Sequence, residues 1–157
     1  MSDEKDPGDP LSIALFSEMF MADQLARARL AKALPKGMEL SHFSVLNHLA
    51  HANAERSPAQ LARSFHVTRG AMTNTIGKLE WAGYVHVRPD WDDARRKFVS
   101  ISEAGRNARE EAIAAIYPII SEAVEAVGAE RVRNALPVIR ELRRRFDDEI
   151  RPDESTS

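Results

Sequence analysis

The chain contains no cysteine at all among its 157 residues. That excludes a disulfide framework, a thiolate metal site and a thiol redox switch. Aromatic residues are scarce, at 6%, and no window approaches the roughly 18 uninterrupted apolar residues of a membrane span. The N-terminus MSDEKDPGDP is acidic and carries two prolines, without the basic and apolar regions of a secretory signal. A cytoplasmic location without membrane contact is the expectation. Catalytic signatures are missing too: there is no phosphate-cradling glycine loop, no nucleophile elbow, no HExxH and no convincing acid–base pair, so no enzyme activity and no cofactor are expected.

What is present is ordinary in amount and uneven in placement. Apolar and charged fractions of 43% and 29% suit one domain with a sizeable core. The net charge of −2 argues against a polyanionic partner until its distribution is read. From Ser57 to Arg106 there are eight basic and five acidic side chains, so a segment of charge +3 sits inside a chain whose remainder carries −5.

That segment is also the best punctuated. Ser57-Pro58-Ala59-Gln60 is a helix start: serine caps the orphan amides, proline loses nothing at the first position, and glutamine returns the bond. Leu61 and Phe65 share a face, the helix stops near His66, and Val67 is expected to plug between two helices. Thr68 caps the next helix, TRGAMTNTIGKLEWA, with Met72, Ile76 and Leu79 on its inner face and Gly83 closing it. The outer face holds Arg69, Gly70, Thr73, Asn74 and Gly77, with Lys78 at the flank. Two interior glycines cost about 1 kcal/mol each against alanine, which makes sense only for a face that must approach another surface closely. Val85 and Val87, then Val99 and Ile101, alternate with polar residues as two short strands joined by the charged loop Pro89 to Arg96.

The surroundings read as helices. One runs from about Leu11 to Ala33, with apolar Leu15, Met19, Leu25 and Leu30 widened by Phe16 and Phe20. Ser41 is a plausible cap for a second, whose stripe is Phe43, Leu46, Leu49 and Ala50. Ser102 caps a long helix reaching Val127, with Ile113, Ile116, Ile120 and Val124 and a kink at Pro118. A last helix from near Glu130 carries Val132, Leu136, Ile139, Leu142 and Phe146, with a second kink at Pro137. Residues 1–10 and 151–157 read as disordered tails.

Taken together, Ser57–Gly105 resembles the winged helix-turn-helix of MarR-type bacterial transcriptional regulators. The matching residues are the SPAQLA helix, Val67-Thr68-Arg69, Lys78-Leu79-Glu80, Gly83-Tyr84-Val85, Arg88-Pro89-Asp90, Asp93-x-Arg95 and Val99-x-Ile101-Ser102-x-x-Gly105. The resemblance implies a mainly α fold (α+β winged helix) of six helices with a two- to three-stranded β-wing. It implies an intertwined homodimer in which 11–35 plus 102–150 form a helical dimerisation lobe and 41–101 a DNA-binding lobe, within one domain of residues 11–150. It also implies double-stranded DNA as partner, as a pseudo-palindromic operator. Carried over, Thr68, Arg69, Gly70, Thr73, Asn74, Lys78, Arg95 and Arg96 fall at DNA contacts. Asn74 stands where many relatives have a basic residue, and Trp91 is unusual for a wing.

In the wing, Asp90, Asp92 and Asp93 should repel phosphates. The expected resolution is that Asp93 buttresses Arg95 and Asp90 shapes the turn, leaving Arg95 and Arg96 to project. A repressor modulated by a small aromatic effector is the expected function, with Phe16, Phe20, Phe43 and Trp81 as ligand-binding residues. Two alternatives stay open: a metal-responsive regulator using His42, His48 and His51, although no metal site is assigned, and a winged helix serving protein–protein assembly.

Overall fold

The computed structural model describes residues 10–150, with side chains described to residue 147. The tails expected at 1–10 and 151–157 therefore lie outside the described residues, apart from Pro10, which opens the first helix. The order is α1 (Pro10–Ala33), α2 (Leu40–Ala52), α3 (Pro58–Phe65), α4 (Arg69–Trp81), β1 (Val85–Pro89), β2 (Lys97–Ile101), α5 (Glu103–Val127) and α6 (Ala129–Ile150). Among the described residues, six helices and an antiparallel two-stranded wing are the expected mainly α architecture. The chain divides into two compact units, with the boundary at Ile116 and Tyr117 inside α5.

In the first unit, the core gathers Val45, Leu46 and Leu49 of α2, Leu61 and Ala62 of α3, Met72, Ile76 and Leu79 of α4, and Val85 and Val99 of the wing. The 72/76/79 stripe is thus buried as its spacing requires, and this burial fixes which face of α4 is left outside. A second cluster joins Leu34 to Ala112 and Ile116, with Phe43 packed on it from the side.

Three local expectations are corrected here. Glu39, not Ser41, caps α2: its carboxylate takes the amide of His42, and the Glu39 amide returns to His42 Nδ1 at 3.1 Å. An imidazole at the third helical position does what Glu or Gln does in a capping box. The inner face of α2 is His42, Val45, Leu46 and Leu49 rather than a stripe through Phe43 and Ala50, because Phe43 serves the second cluster. Val67 is 44% exposed and plugs nothing. The turn between α3 and α4 is instead held by backbone: His66 takes a left-handed conformation at φ 52, and the Val67 amide reaches the Ala62 carbonyl at 3.1 Å.

The wing pairs Val85 with Ile101 and Val87 with Val99. A bridge between Arg56 and Val99, two backbone bonds of 3.0 and 2.8 Å, adds a third strand one residue long. The wing is tied to α5 at one corner: Ser102 Oγ donates to the Gly83 carbonyl at 2.7 Å and accepts from the Gly105 amide at 3.0 Å. Gly105 is required there. A Cβ on it would lie 2.0 Å from the Tyr84 carbonyl oxygen, backbone that cannot step aside.

In the second unit, α5 and α6 run through Pro118 and Pro137 and meet at Gly128, whose φ of 111 only glycine adopts readily. None of its described side chains is buried. Ile120, Val124, Leu136, Ile139 and Phe146 stand exposed, as Leu11, Ile13, Phe20 and Leu25 do on α1. No single helix among the described residues is long and apolar enough to cross a membrane.

Candidate nucleic-acid interface

The α3–turn–α4 unit is built from the capping chemistry of its sequence. Ser57 Oγ accepts from the Gln60 amide at 3.2 Å while Gln60 Oε1 accepts from the Ser57 amide at 2.9 Å. Thr68 Oγ1 accepts from the Ala71 amide at 3.1 Å and starts α4. With Met72, Ile76 and Leu79 buried, Arg69, Gly70, Thr73, Asn74, Gly77 and Lys78 are all exposed. Neither Gly70 nor Gly77 has an atom within 4 Å of where a Cβ would stand. The glycines are not needed for packing inside this chain.

The second exposed feature is the wing tip. Beyond the Pro89–Lys97 pair, the Asp90 amide reaches the Arg96 carbonyl at 3.0 Å. Asp90 Oδ1 accepts from the Asp92 amide at 3.0 Å, and Asp93 Oδ1 accepts from the amide and Nε of Arg95 at 3.1 and 3.3 Å. Two of the three aspartates are thus occupied in shaping the loop. Arg95 keeps a side-chain exposure of 92%, and Arg96 and Lys97 are exposed next to it.

Comparison with known proteins places this arrangement. The family model described as "MarR family" matches residues 36–96, which span α2, α3, α4, β1 and the wing loop. Over that span the chain is similar to the MarR family.

The transcriptional regulator BldR from Sulfolobus solfataricus shares its fold with a TM-score of 0.76 at 25% identity, covering 90% of this chain and 99% of that one. A cysteine-to-serine variant of MarR from E. coli, solved complexed with operator DNA, aligns with a TM-score of 0.75 at 22% identity over 88% of this chain and 99% of its own. The curated transcriptional activatory protein BadR of Rhodopseudomonas palustris is 29% identical over 103 residues, 64% of this chain; the match spans 59% of that relative's length.

Within this arrangement, one basic residue counted toward the +3 surplus is spoken for. Arg88 donates from Nε and Nη2 to Glu55 at 2.7 and 2.5 Å and lies 4.9 Å over the Phe98 ring. The hydrogen bonds and charge of Arg88 hold the Glu55 carboxyl below its usual range, and the same pair raises the Arg88 pKa. This is a strut from the α2–α3 loop to the wing, a positioning contact the sequence did not show because its partners lie 33 residues apart. Lys78 is also engaged, with Nζ 3.7 Å from Glu39.

Lys78 and Glu39 line a cavity of about 780 Å³ between the α1–α2 loop, α4 and the start of α5, together with His42, Gly77, Trp81 and Tyr84. Of the four expected ligand residues only Trp81 borders it, 93% exposed. Phe16 and Phe20 pair with each other on α1 at 6.0 Å, and Phe43 belongs to the second cluster. His42 was not singled out for this position. Its Nδ1 accepts the Glu39 amide, so the proton sits on Nε2, which is buried without a hydrogen-bond partner. Burial pushes the His42 pKa down, Glu39 opposing and Lys78 adding to the shift. The other histidines go elsewhere: His48 packs edge-on to Phe65, and His51 Nδ1 bonds the Asn47 carbonyl. Among the described residues no group of three His, Cys, Asp or Glu side chains could hold a metal ion, so the metal-responsive alternative has no donor set there.

Proposed function

We propose that this protein is a MarR-type, sequence-specific regulator that binds duplex DNA as a homodimer on a pseudo-palindromic operator and represses from it. The observation that carries the reading is a helix face of small and polar residues, cleared of packing duties, followed in the chain by a wing whose arginines project. Asn74 can bridge N6 and N7 of adenine, and Arg69 can reach a phosphate or guanine O6 and N7. Thr68, Gly70 and Thr73 let the helix approach, Lys78 lies at its flank, and Arg95 and Arg96 suit a narrow minor groove. The MarR neighbour solved with operator DNA supports the same use of the shared fold.

Pairing is supported by the apolar side chains left uncovered on α1 and on α5 and α6, large exposed hydrophobics of the kind that mark association surfaces. The expected division, with 11–35 plus 102–150 for pairing and 41–101 for DNA, assigns each apolar face to the pairing role. Two copies then set half-sites roughly 10 bp apart. A small aromatic effector fits the cavity, with Trp81 and Tyr84 for its ring and the Nε2–H of His42 or the Lys78 ammonium for a polar substituent. Occupancy there reaches Gly77 on α4 and lowers operator affinity.

The test is a gel shift with the promoter duplex of the protein's own gene at two salt concentrations. Binding that weakens steeply with salt is the expected result. Failure to shift any duplex at low salt would sink the reading and favour the assembly-module alternative. A reporter under that promoter should fall when the protein is supplied; a rise would make it an activator, as the name of the BadR relative describes that protein.

A further inference from the structure

Trp91 has no role in anything described so far. It stands at the wing tip with 83% of its surface exposed, although an indole offers about 150–250 Å² for burial. The apolar side of the wing is already served by Val85, Val87, Val99 and Ile101, and Trp91 does not fold back onto it. Its backbone is nevertheless held: Asp90 Oδ1 bonds the Asp92 amide across it, and the Asp90 amide is tied to the Arg96 carbonyl. A large apolar side chain is therefore presented from a fixed loop rather than trailing from a loose one.

Its neighbours restrict what it can meet. Arg95, Arg96 and Lys97 follow in succession on the same tip, which favours a polyanion over a protein or lipid partner. Asp90, Asp92 and Asp93 flank Trp91 in the loop, and their negative charge disfavours contact with the phosphates themselves. What remains on a duplex is the sugar wall and base edge of the minor groove, where apolar side chains act as wedges between base steps.

We propose that Trp91 is a specificity-determining residue of the wing, packing into the minor groove and selecting a flexible pyrimidine–purine step where the wing lands. Such steps unstack most readily, so a wedge reads them through deformability rather than hydrogen bonds. This inference rests on the regulator reading given above.

The two contacts of the wing differ in kind, and salt separates them. Wild-type protein is used to select duplexes from a randomised pool, and one of these is titrated at several salt concentrations. Trp91→Ala should lose about tenfold in affinity, as for removal of one base–aromatic contact, with the salt dependence unchanged. It should also lose the preference for TA or CA at the wing position, while Trp91→Phe keeps most of both. Arg95→Ala should instead flatten the salt dependence by about one unit of slope. With Trp81→Phe as optical background, and its own affinity as reference, Trp91 is the only remaining tryptophan of two, and its emission should change on adding the duplex. Wild-type affinity, an unchanged selected pool and unchanged emission would overturn the assignment. A wild-type protein that binds no duplex would overturn the regulator reading and this inference with it.

Discussion

Alanine at Gly77 should make the protein more stable and a worse DNA binder. Gly77 lies inside α4 in ordinary helical backbone, with nothing within 4 Å of where its Cβ would stand. The substitution therefore removes a propensity penalty of about 1 kcal/mol and meets no steric cost. For a chain of this size that raises the melting temperature by roughly 2–4 °C. The same methyl group stands three residues after Asn74, on the face assigned to the major groove. If it holds Asn74 off its base, a bidentate contact is lost, about 1–3 kcal/mol, or roughly 5- to 150-fold in Kd. Gly70→Ala should behave likewise, with a smaller gain in stability because Gly70 lies in the first turn. Thermal unfolding at fixed protein concentration and fluorescence anisotropy with a selected duplex, on the same preparation, read both quantities. Stabilised variants that bind like wild type would refute a closely approaching face. Absence of any stability gain would refute the open placement of these glycines.

At Gly105 the same substitution should have the opposite sign. Relieving a 2.0 Å approach to the Tyr84 carbonyl disturbs the Ser102 bonds to Tyr84 and Gly83. Overpacking and a strained buried hydrogen bond together cost about 3 kcal/mol, a drop of roughly 6–12 °C. Acid should loosen the wing strut. The Glu55 carboxyl is depressed in the folded chain, so its contribution is complete above the ordinary carboxylate range and is lost as pH falls through its lowered value. Glu55→Gln should flatten that acid limb, and an unchanged limb would remove the strut from the stability account. His42 is depressed as well, so its contribution is complete above its ordinary value near 6.5 and declines as pH falls below it, with Glu39 and Lys78 as its charged neighbours. His42→Asn should make unfolding less pH-dependent below the ordinary histidine value near 6.5; an unaltered dependence would place the titration elsewhere.

Much of the segment from Ser57 to Gly105 was legible because its signals are local. Ser57 with Gln60, Thr68 with Ala71, and the turn at Gly83 each use partners within three or four residues, and the 72/76/79 spacing fixes one buried face. The glycine three residues beyond Ser102 also has a physical reason, since only hydrogen fits against Tyr84. Where reading failed, two arrangements suited the same residues. Helix α2 offers overlapping stripes, and only the presence of a second cluster, which takes Phe43, decides that His42 and Val45 turn inward. An imidazole reciprocating a glutamate cap has no short sequence signature. The Glu55–Arg88 strut and the cavity around His42 and Trp81 depend on elements brought together from far apart, which spacing alone does not encode. On α1 and α6, by contrast, hydrophobic periodicity announced an apolar face, but within one chain it stays uncovered.

The most direct test of the central claim is a hydroxyl-radical and methylation footprint of the selected duplex with saturating wild-type protein. Two recognition helices and two wings predict two major-groove guanine or adenine protections roughly 10 bp apart, each flanked outward by protection of minor-groove sugars that disappears with Arg95→Ala. A single continuous block without groove periodicity, or protection that Arg95→Ala leaves intact, would contradict it.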